Sequence, residues 1–205
     1  MSVKDREQLA AELLNIGAIK FGNFRLKLHE DNPDAPLSPI YIDLRLMRSF
    51  PDVIDLAVGV YRDLSKGFIY DVYADVPTAA TPIVAILSHI TRIPMISPRK
   101  DEKKHGTALP IDGVFRAGQK TLLIDDLITN ASSKLETISI LEGNKLIVVG
   151  VIVLVDREQG GVTELQRKGY DCRAAFQLTE LLDFYSAKGL LNQVDYRRTR
   201  DYLKL

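Results

Sequence analysis

From about residue 68 to residue 178, short apolar runs alternate with segments of helical spacing, and no other feature of the sequence constrains the fold as strongly. The apolar runs are rich in β-branched residues and do not alternate with polar ones, which is typical of parallel strands covered by helices on both faces. The predicted strands are Ile69–Ala74, Ile93–Ile96, Thr121–Ile124, Leu146–Val155 and Cys172–Leu178, and the predicted helices are Thr81–His89, Ser133–Leu141 and Val162–Lys168. The pattern predicts an α/β fold with a parallel sheet, and ligands of such sheets bind beyond the carboxyl ends of the strands.

The first 64 residues have a different pattern. Apolar residues recur at helical spacing over Lys4–Ile16, and Gly17 follows as a stop signal. Short strands are predicted for Ile19–Lys27 and Ile40–Leu46, with a turn-rich connection between them. Pro51–Leu64 is predicted to be a helix that begins with proline in its first turn.

The composition excludes several classes of protein. The 27 lysines and arginines balance the 27 aspartates and glutamates, whereas a nucleic-acid binder would usually carry a basic excess. The single cysteine, Cys172, rules out an internal disulfide and agrees with a reducing compartment. The N-terminus lacks the apolar core of a signal peptide, and no run approaches the roughly 20 apolar residues that span a bilayer. We therefore expect a single-domain cytoplasmic protein that binds neither nucleic acid nor membrane.

Two adjacent carboxylates, Asp125 and Asp126, follow the strand predicted at Thr121–Ile124. Small and hydroxylated residues come next, and then a helix starts, whose free N–H groups and dipole favour a phosphate. The carboxylates would repel that phosphate unless they face hydrogen-bond donors, and vicinal sugar hydroxyls are natural donors. The segment therefore predicts a site for ribose 5-phosphate, and the alternative is that the two acids merely cap a turn.

A cluster of positive charge lies in residues 98–106, after the strand predicted at Ile93–Ile96. It consists of Arg99, Lys100, Lys103, Lys104 and His105, bounded by Pro98 and Gly106. In a chain of zero net charge, this local concentration can attract a polyanion, and a loop of this kind can close over a substrate. The alternative is an ordinary solvated segment, which is what most charge runs are.

Together these segments resemble a known family. Residues 121–134 resemble the PRPP-binding signature of the type I phosphoribosyltransferases, and residues 99–106 resemble the catalytic loop of the orotate phosphoribosyltransferases. Residues 20–27 and 38–45 are similar to the family's hood over the base, and residues 155–161 are similar to its orotate-contacting segment. The resemblance implies one phosphoribosyltransferase domain over residues 1–205, with a parallel sheet flanked by helices and a small hood at about residues 18–46.

The resemblance also implies a reaction. The phosphoribosyl group of PRPP would pass to orotate, giving orotidine 5′-monophosphate and pyrophosphate in pyrimidine nucleotide biosynthesis. Mg²⁺ would be bound mainly through the pyrophosphate of PRPP, without dedicated protein ligands, since this ion prefers oxygen ligands and keeps several waters. The family forms homodimers in which the basic loop reaches the partner's site, so a homodimer is expected.

Individual residues acquire roles from the same resemblance. Lys103 is expected closest to the leaving group, supported by Arg99, Lys100 and His105, while Asp125 and Asp126 hold the ribose hydroxyls. The residues expected to bind substrate are Lys27, Tyr41, Ile42, Thr78, Ala79, Thr129, Asn130, Ala131, Ser132, Ser133 and Arg157. Residues 129–133 would hold the 5′-phosphate, and Arg157 would pair with the carboxylate of orotate through a bidentate contact.

The chain departs from the family pattern in two loops. Asp75 stands where the family usually has glycine, and Thr78 and Ala79 replace a tyrosine and a following lysine or threonine that contact the pyrophosphate. Asn130 and Ala131 stand where the family usually has at least one glycine, and Asn130 is expected to substitute because asparagine tolerates left-handed backbone. Two alternatives follow: a non-catalytic PRPP- or nucleotide-binding protein of the same fold, and a phosphoribosyltransferase for another base.

Overall fold

The alternation of strands and helices is confirmed by the computed structural model, which describes residues 3–25, 28–99 and 110–204. The helices are α1 (Val3–Asn15), α2 (Leu28–Asp31), α3 (Pro51–Leu64), α4 (Thr81–Thr91), α5 (Ser132–Gly143), α6 (Gly161–Arg167), α7 (Leu178–Ala187) and α8 (Gln193–Leu203), with a 3-10 helix over Leu44–Ser49. The strands are β1 (Ile19–Phe24), β2 (Ser38–Ile42), β3 (Val72–Asp75), β4 (Met95–Pro98), β5 (Ile111–Asp112), β6 (Lys120–Ile128), β7 (Ile147–Asp156) and β8 (Cys172–Gln177).

The main sheet has six strands in the order β5-β4-β3-β6-β7-β8. Its strands are parallel except for the short β5, which pairs antiparallel with β4 at one edge. Ile124 of β6 pairs with Asp75 of β3 on one side and with Ile152 of β7 on the other. The carboxyl ends of these three strands therefore meet at one edge of the sheet, which is where a ligand of a parallel sheet is expected.

Two separate clusters of apolar side chains cover the faces of this sheet. Leu122 and Ile124 belong to the cluster that includes residues of α1, α3 and α7, whereas Leu123 belongs to the cluster that includes residues of α5 and α6. All three side chains are fully buried. Because successive side chains of a strand point to opposite faces, residues that are adjacent in sequence lie on different sides of the sheet.

Three strands of the main sheet, β3, β4 and β6, differ in extent from the prediction, and β4 covers Met95–Pro98 rather than Ile93–Ile96. β3 begins at Val72 rather than at Ile69, and the side chain of Ile69 is 77% exposed. β6 does not end at Ile124 but continues to Ile128, because it pairs with β7 over its whole length. The adjacent aspartates therefore belong to a strand and not to the loop after it.

The hood residues form a separate two-stranded antiparallel sheet of β1 and β2, in which Lys20 pairs with Tyr41. The strand predicted for Ile40–Leu46 is wrong in its second half, since β2 ends at Ile42 and the 3-10 helix begins at Leu44. The buried side chains of this helix are Leu44 and Met47. Their spacing of three residues matches a 3-10 turn, in which residues i and i+3 lie above one another.

After β8, where the predicted series ends, the chain continues into α7 and α8. A capping box between Gln177 and Glu180 starts α7. The guanidinium of Arg198 in α8 donates to the backbone oxygen of Gly22 at 3.0 Å and to the side chain of Asn23, so α8 is fastened to β1. Within the described ranges, none of the helices is long and apolar enough to cross a membrane.

Candidate functional site

The site is built around the two aspartates near the carboxyl end of β6. Asp125 is almost completely buried, whereas Asp126 is half-buried. The backbone N–H of Asp126 donates to the Asp125 carboxylate at 2.8 Å, and that of Leu127 donates to the Asp126 carboxylate at 2.7 Å. These local bonds fix both side chains against the strand, although the two acids differ in burial and in their partners.

Asp125 forms a buried ion pair with Lys134 of α5. Lys134 Nζ lies 2.5 Å from Asp125 Oδ2, and the two side chains are 5% and 6% exposed. The same ammonium donates to the backbone oxygen of Leu127 at 2.5 Å and to Ser133 Oγ at 3.4 Å. Lys134 thus links the start of α5 to the end of β6 through buried contacts. The sequence pattern did not reveal this role, because a lysine in the first turn of a helix is usually solvated.

Asp126 lies in a different electrostatic environment. Burial, together with the adjacent Asp125 carboxylate, raises the pKa of Asp126 to about 7. Arg45 of the 3-10 helix is within electrostatic range of Asp126, although its guanidinium is held mainly by the Asp43 carboxylate at 2.6 Å and 2.8 Å. A carboxyl group with a pKa near 7 can accept or donate a hydrogen bond, depending on pH.

The connection from β6 to α5 presents backbone N–H groups at a helix start, as predicted. Helix α5 begins at Ser132, and its N-cap residue, Ala131, makes no side-chain capping bond and is fully buried. The left-handed backbone expected at Asn130 is wrong, because this residue is not among those with positive φ. Its side-chain oxygen instead accepts from the backbone N–H of Ser132 at 3.2 Å. Thr129 and Ser133 of this connection are half-buried, and Ser132 is exposed.

Gly161, at the start of α6, packs against Ile128 and Thr129 of this connection. Its backbone N–H donates to the backbone oxygen of Thr129 at 3.0 Å. A Cβ atom at Gly161 would lie 2.6 Å from Ile128 Cγ1 and 2.8 Å from that same oxygen of Thr129, so there is no room for a side chain. The close approach of α6 therefore requires glycine at this position.

Arg157 lies just beyond the carboxyl end of β7. Its backbone N–H donates to the oxygen of Ile128 at 2.9 Å, which places it beside the end of β6. Its Nε atom is buried and has no hydrogen-bond partner among the described residues. Burial lowers the pKa of Arg157, and Tyr202 of α8 opposes this effect from within electrostatic range. A buried guanidinium with unused donors is suited to bind a carboxylate.

Tyr41 and Ile42, the residues predicted to line a base pocket, lie at the end of β2 and are half-buried. The ring of Tyr41 lies 5.6 Å from the ring of Phe24, in a tilted arrangement that holds it on the hood. Lys27 lies outside the described residues, as do Lys100, Lys103 and His105 of the basic loop. The structure therefore joins the β6 and β7 residues at one sheet edge and places Tyr41 and Ile42 at the end of β2, but it does not describe these four side chains.

The described end of the basic loop shows how Arg99 is held. Its backbone N–H donates to the oxygen of Pro110 at 2.8 Å, and its Nε donates to the Asp112 carboxylate at 2.6 Å. A second guanidinium nitrogen also pairs with Asp112. Arg99 thus closes the base of the loop against β5, a contact that no local sequence signal indicated.

The loop from β3 to α4 carries Thr78 and Ala79, which are exposed and half-buried. Asp75, at its start, is fully buried, and its Oδ2 accepts from the hydroxyl of Thr81. Arg48 of the 3-10 helix donates from its guanidinium to the backbone oxygen of Thr78. Arg48 was not predicted to lie at the site, because the segment that contains it was not predicted to be a helix.

The comparisons with known proteins show similarity over nearly the whole chain. The orotate phosphoribosyltransferase of Chlamydia caviae is 32% identical over 97% of this chain and 95% of its own length. The uridine 5′-monophosphate synthase of Bos taurus is 32% identical over 96% of this chain, which spans 40% of that relative. The solved structure of Leishmania donovani UMP synthase superposes with a TM-score of 0.85 at 31% identity, over 97% of this chain and 42% of that one. The sequence matches no family model.

Loss of the lysine from the buried pair should be costly. Lys134→Met leaves the Asp125 charge buried without a partner, so we expect the free energy of unfolding to fall by about 3–5 kcal/mol. Lys168→Met, at an exposed position after α6, should change it by less than about 0.5 kcal/mol. Urea unfolding of both variants measures the difference. The double variant Asp125→Asn/Lys134→Met should recover part of the loss, and equal stability of Lys134→Met and wild type would refute the buried pair.

The raised pKa of Asp126 predicts a pH dependence. Because it lies above the ordinary value of 3.8, the folded protein binds more protons than the unfolded chain between roughly pH 4 and pH 7, and stability falls as the pH rises through this window. Asp126→Asn removes this titration. The free energy of unfolding of Asp126→Asn minus that of wild type should therefore be larger at about pH 8 than at about pH 5, by on the order of 1–3 kcal/mol. Urea titrations at both pH values, with the exposed Asp34→Asn as control, measure this gain. A difference independent of pH would contradict the assignment.

Proposed function

Since the chain belongs to the orotate phosphoribosyltransferase family, we propose that it transfers the phosphoribosyl group of PRPP to orotate, giving orotidine 5′-monophosphate and pyrophosphate. The observation that carries the proposal is the full-length similarity to a relative of that name, 32% identical over 95% of its length. The acid pair, the α5 start and Arg157 at one sheet edge support it. The reaction would belong to the biosynthesis of UMP.

The chemical problem is the departure of pyrophosphate from the anomeric carbon, which leaves positive charge on the ribose. Asp126, with its half-buried carboxyl group, would accept hydrogen bonds from the ribose hydroxyls, while Asp125 would keep the end of β6 in place through Lys134. The backbone N–H groups at the start of α5, with the hydroxyls of Thr129 and Ser133, would hold the 5′-phosphate. These contacts fix the sugar so that the anomeric carbon is positioned for the incoming base.

The base would be held from two sides. Arg157 would use its unused guanidinium donors to pair with the carboxylate of orotate, and Tyr41 and Ile42 would close over the ring. Burial of Arg157 strengthens such a pair, because an ion pair in a medium of low dielectric constant is less screened. Lys103, with Arg99, Lys100 and His105, would neutralise charge on the leaving group as it develops.

Magnesium would enter with the substrate. In the described part of the chain, no group of three or more His, Cys, Asp or Glu side chains could hold a metal ion. Such an ion would take its oxygen ligands from pyrophosphate and water. When bound, Mg²⁺ would supply charge neutralisation at the pyrophosphate oxygens.

The alternative is a protein of the same fold that binds PRPP or a nucleotide without turnover. This alternative is supported by Asp75, which is fully buried at the start of the β3–α4 loop. It is also supported by Thr78, Ala79 and Ala131, where the family has other residues. A phosphoribosyltransferase for another base is disfavoured by Arg157, whose donors suit a carboxylate that uracil and the purines lack.

A steady-state assay decides among these functions. Orotate absorbance should fall in the presence of PRPP and Mg²⁺, and Arg157→Met should raise the KM for orotate by roughly 10- to 100-fold while the KM for PRPP changes little. Arg167→Met, at an exposed position of α6, is the matched control. Calorimetry of PRPP binding completes the test, because binding without turnover would favour the non-catalytic protein. Turnover with uracil but not with orotate would favour a phosphoribosyltransferase for another base.

We further propose that the protein is a cytoplasmic homodimer whose basic loop completes the partner's site. Lys103→Ala and Asp126→Asn should each be nearly inactive alone. After subunit exchange, an equimolar mixture should regain about a quarter of wild-type activity, because half the dimers would contain one intact site of two. Sedimentation and mass spectrometry verify the dimer and the exchange. Exchange without recovered activity would show that the loop serves its own subunit.

A further inference from the structure

The loop from β3 to α4, residues 76–80, contains no lysine or arginine, although it lies where the family contacts pyrophosphate. It also begins with an acidic residue. Asp75 is fully buried at its start, its Oδ2 accepts from Thr81, and its Oδ1 has no partner among the described residues. A loop without cations offers no opposite charge to stabilise a bound anion, and the acidic residue at its start supplies none. A pyrophosphate site at this loop therefore requires a cation from another element.

The structure brings such a cation from the 3-10 helix that follows the hood. Arg48, near the end of the 3-10 helix, donates from its guanidinium to the backbone oxygen of Thr78. Both residues are exposed, so the contact is open to a ligand. A guanidinium has five N–H donors, and among the described residues this one makes a single hydrogen bond. The remaining donors are free of the described protein and can bind phosphate oxygens in bidentate geometry.

The position of Arg48 follows from how the 3-10 helix is fixed. Asp43 caps the helix through the backbone N–H of Arg45, and the buried side chains of Leu44 and Met47 anchor it to the core. The pKa of Asp43 is lowered mainly by Arg45 and to a smaller extent by Arg48, so both arginines contribute to a positive field on this side of the hood. The short helix thus keeps Arg48 in contact with the loop that follows β3.

We propose that Arg48 supplies the positive charge that the β3–α4 loop lacks, and that it contacts the pyrophosphate group of PRPP while holding Thr78 in place. The inference rests on the proposed function for the identity of the ligand. It also bears on the departure at Ala79, where the family carries lysine or threonine, because Arg48 would bring a cation to a loop that here has none.

Binding of inorganic pyrophosphate tests this role without requiring turnover. Calorimetry with Mg²⁺ present should show that Arg48→Met weakens the Kd for pyrophosphate, and for PRPP, by roughly 10- to 100-fold. Arg48→Lys, which keeps the charge but loses the planar fork, should fall between wild type and Arg48→Met. Arg62→Met, which removes an equal charge from the exposed face of α3, should change either Kd by less than about twofold. Circular dichroism and thermal unfolding verify that each variant is folded.

A second-site substitution separates charge from positioning. Ala79→Lys in the Arg48→Met background returns a cation to the loop and should recover at least about half of the lost binding free energy. No recovery would overturn the claim that Arg48 acts by its charge. Unchanged pyrophosphate binding in Arg48→Met, or no pyrophosphate binding by wild type, would overturn the proposal as a whole. Orotate turnover is measured separately. If Arg48→Met weakens pyrophosphate binding but wild type does not turn over orotate, the proposed function is wrong and the role of Arg48 stands.

Discussion

The buried ion pair between Asp125 and Lys134 is the interaction on which the candidate site depends. Burying two charges is unfavourable unless they are paired and further hydrogen-bonded, and here the Lys134 ammonium also binds the backbone oxygen of Leu127. The pair therefore fixes three things together: the carboxyl end of β6, the turn that follows and the first turn of α5. A phosphate cradle made of backbone N–H groups needs this rigidity, because its donors must be positioned before the ligand arrives.

The same strand assigns different environments to two residues that look equivalent in the sequence. Side chains of β6 alternate between the two apolar clusters, so the neighbours Asp125 and Asp126 cannot both share the Lys134 side. Asp125 is neutralised inside the protein, while Asp126 retains a raised pKa at the partly open side. The difference between the two acids thus follows from strand geometry, and it leaves Asp126 as the more accessible carboxyl group of the pair.

Local patterns in the sequence predicted the parallel sheet, the helix start after the acid pair and the position of Arg157. What they missed depends on contacts between distant segments. β6 extends to Ile128 because β7 pairs with it, and the 3-10 helix forms because Leu44 and Met47 are buried by the core. The contact of Arg48 with Thr78 spans 30 residues, and no local spacing encodes it. Asn130 keeps an ordinary backbone, because its side chain satisfies the N–H of Ser132 directly.

The absence of a side chain at Gly161 has a consequence for how two ligands would influence one another. Its N–H holds the oxygen of Thr129, and four residues earlier the N–H of Arg157 holds the oxygen of Ile128. The segment that would recognise the base and the turn that would grip the phosphate are therefore one hydrogen-bonded unit without a hinge between them. Any change that one substrate makes in the affinity for the other must, by thermodynamic reciprocity, be returned by the same factor.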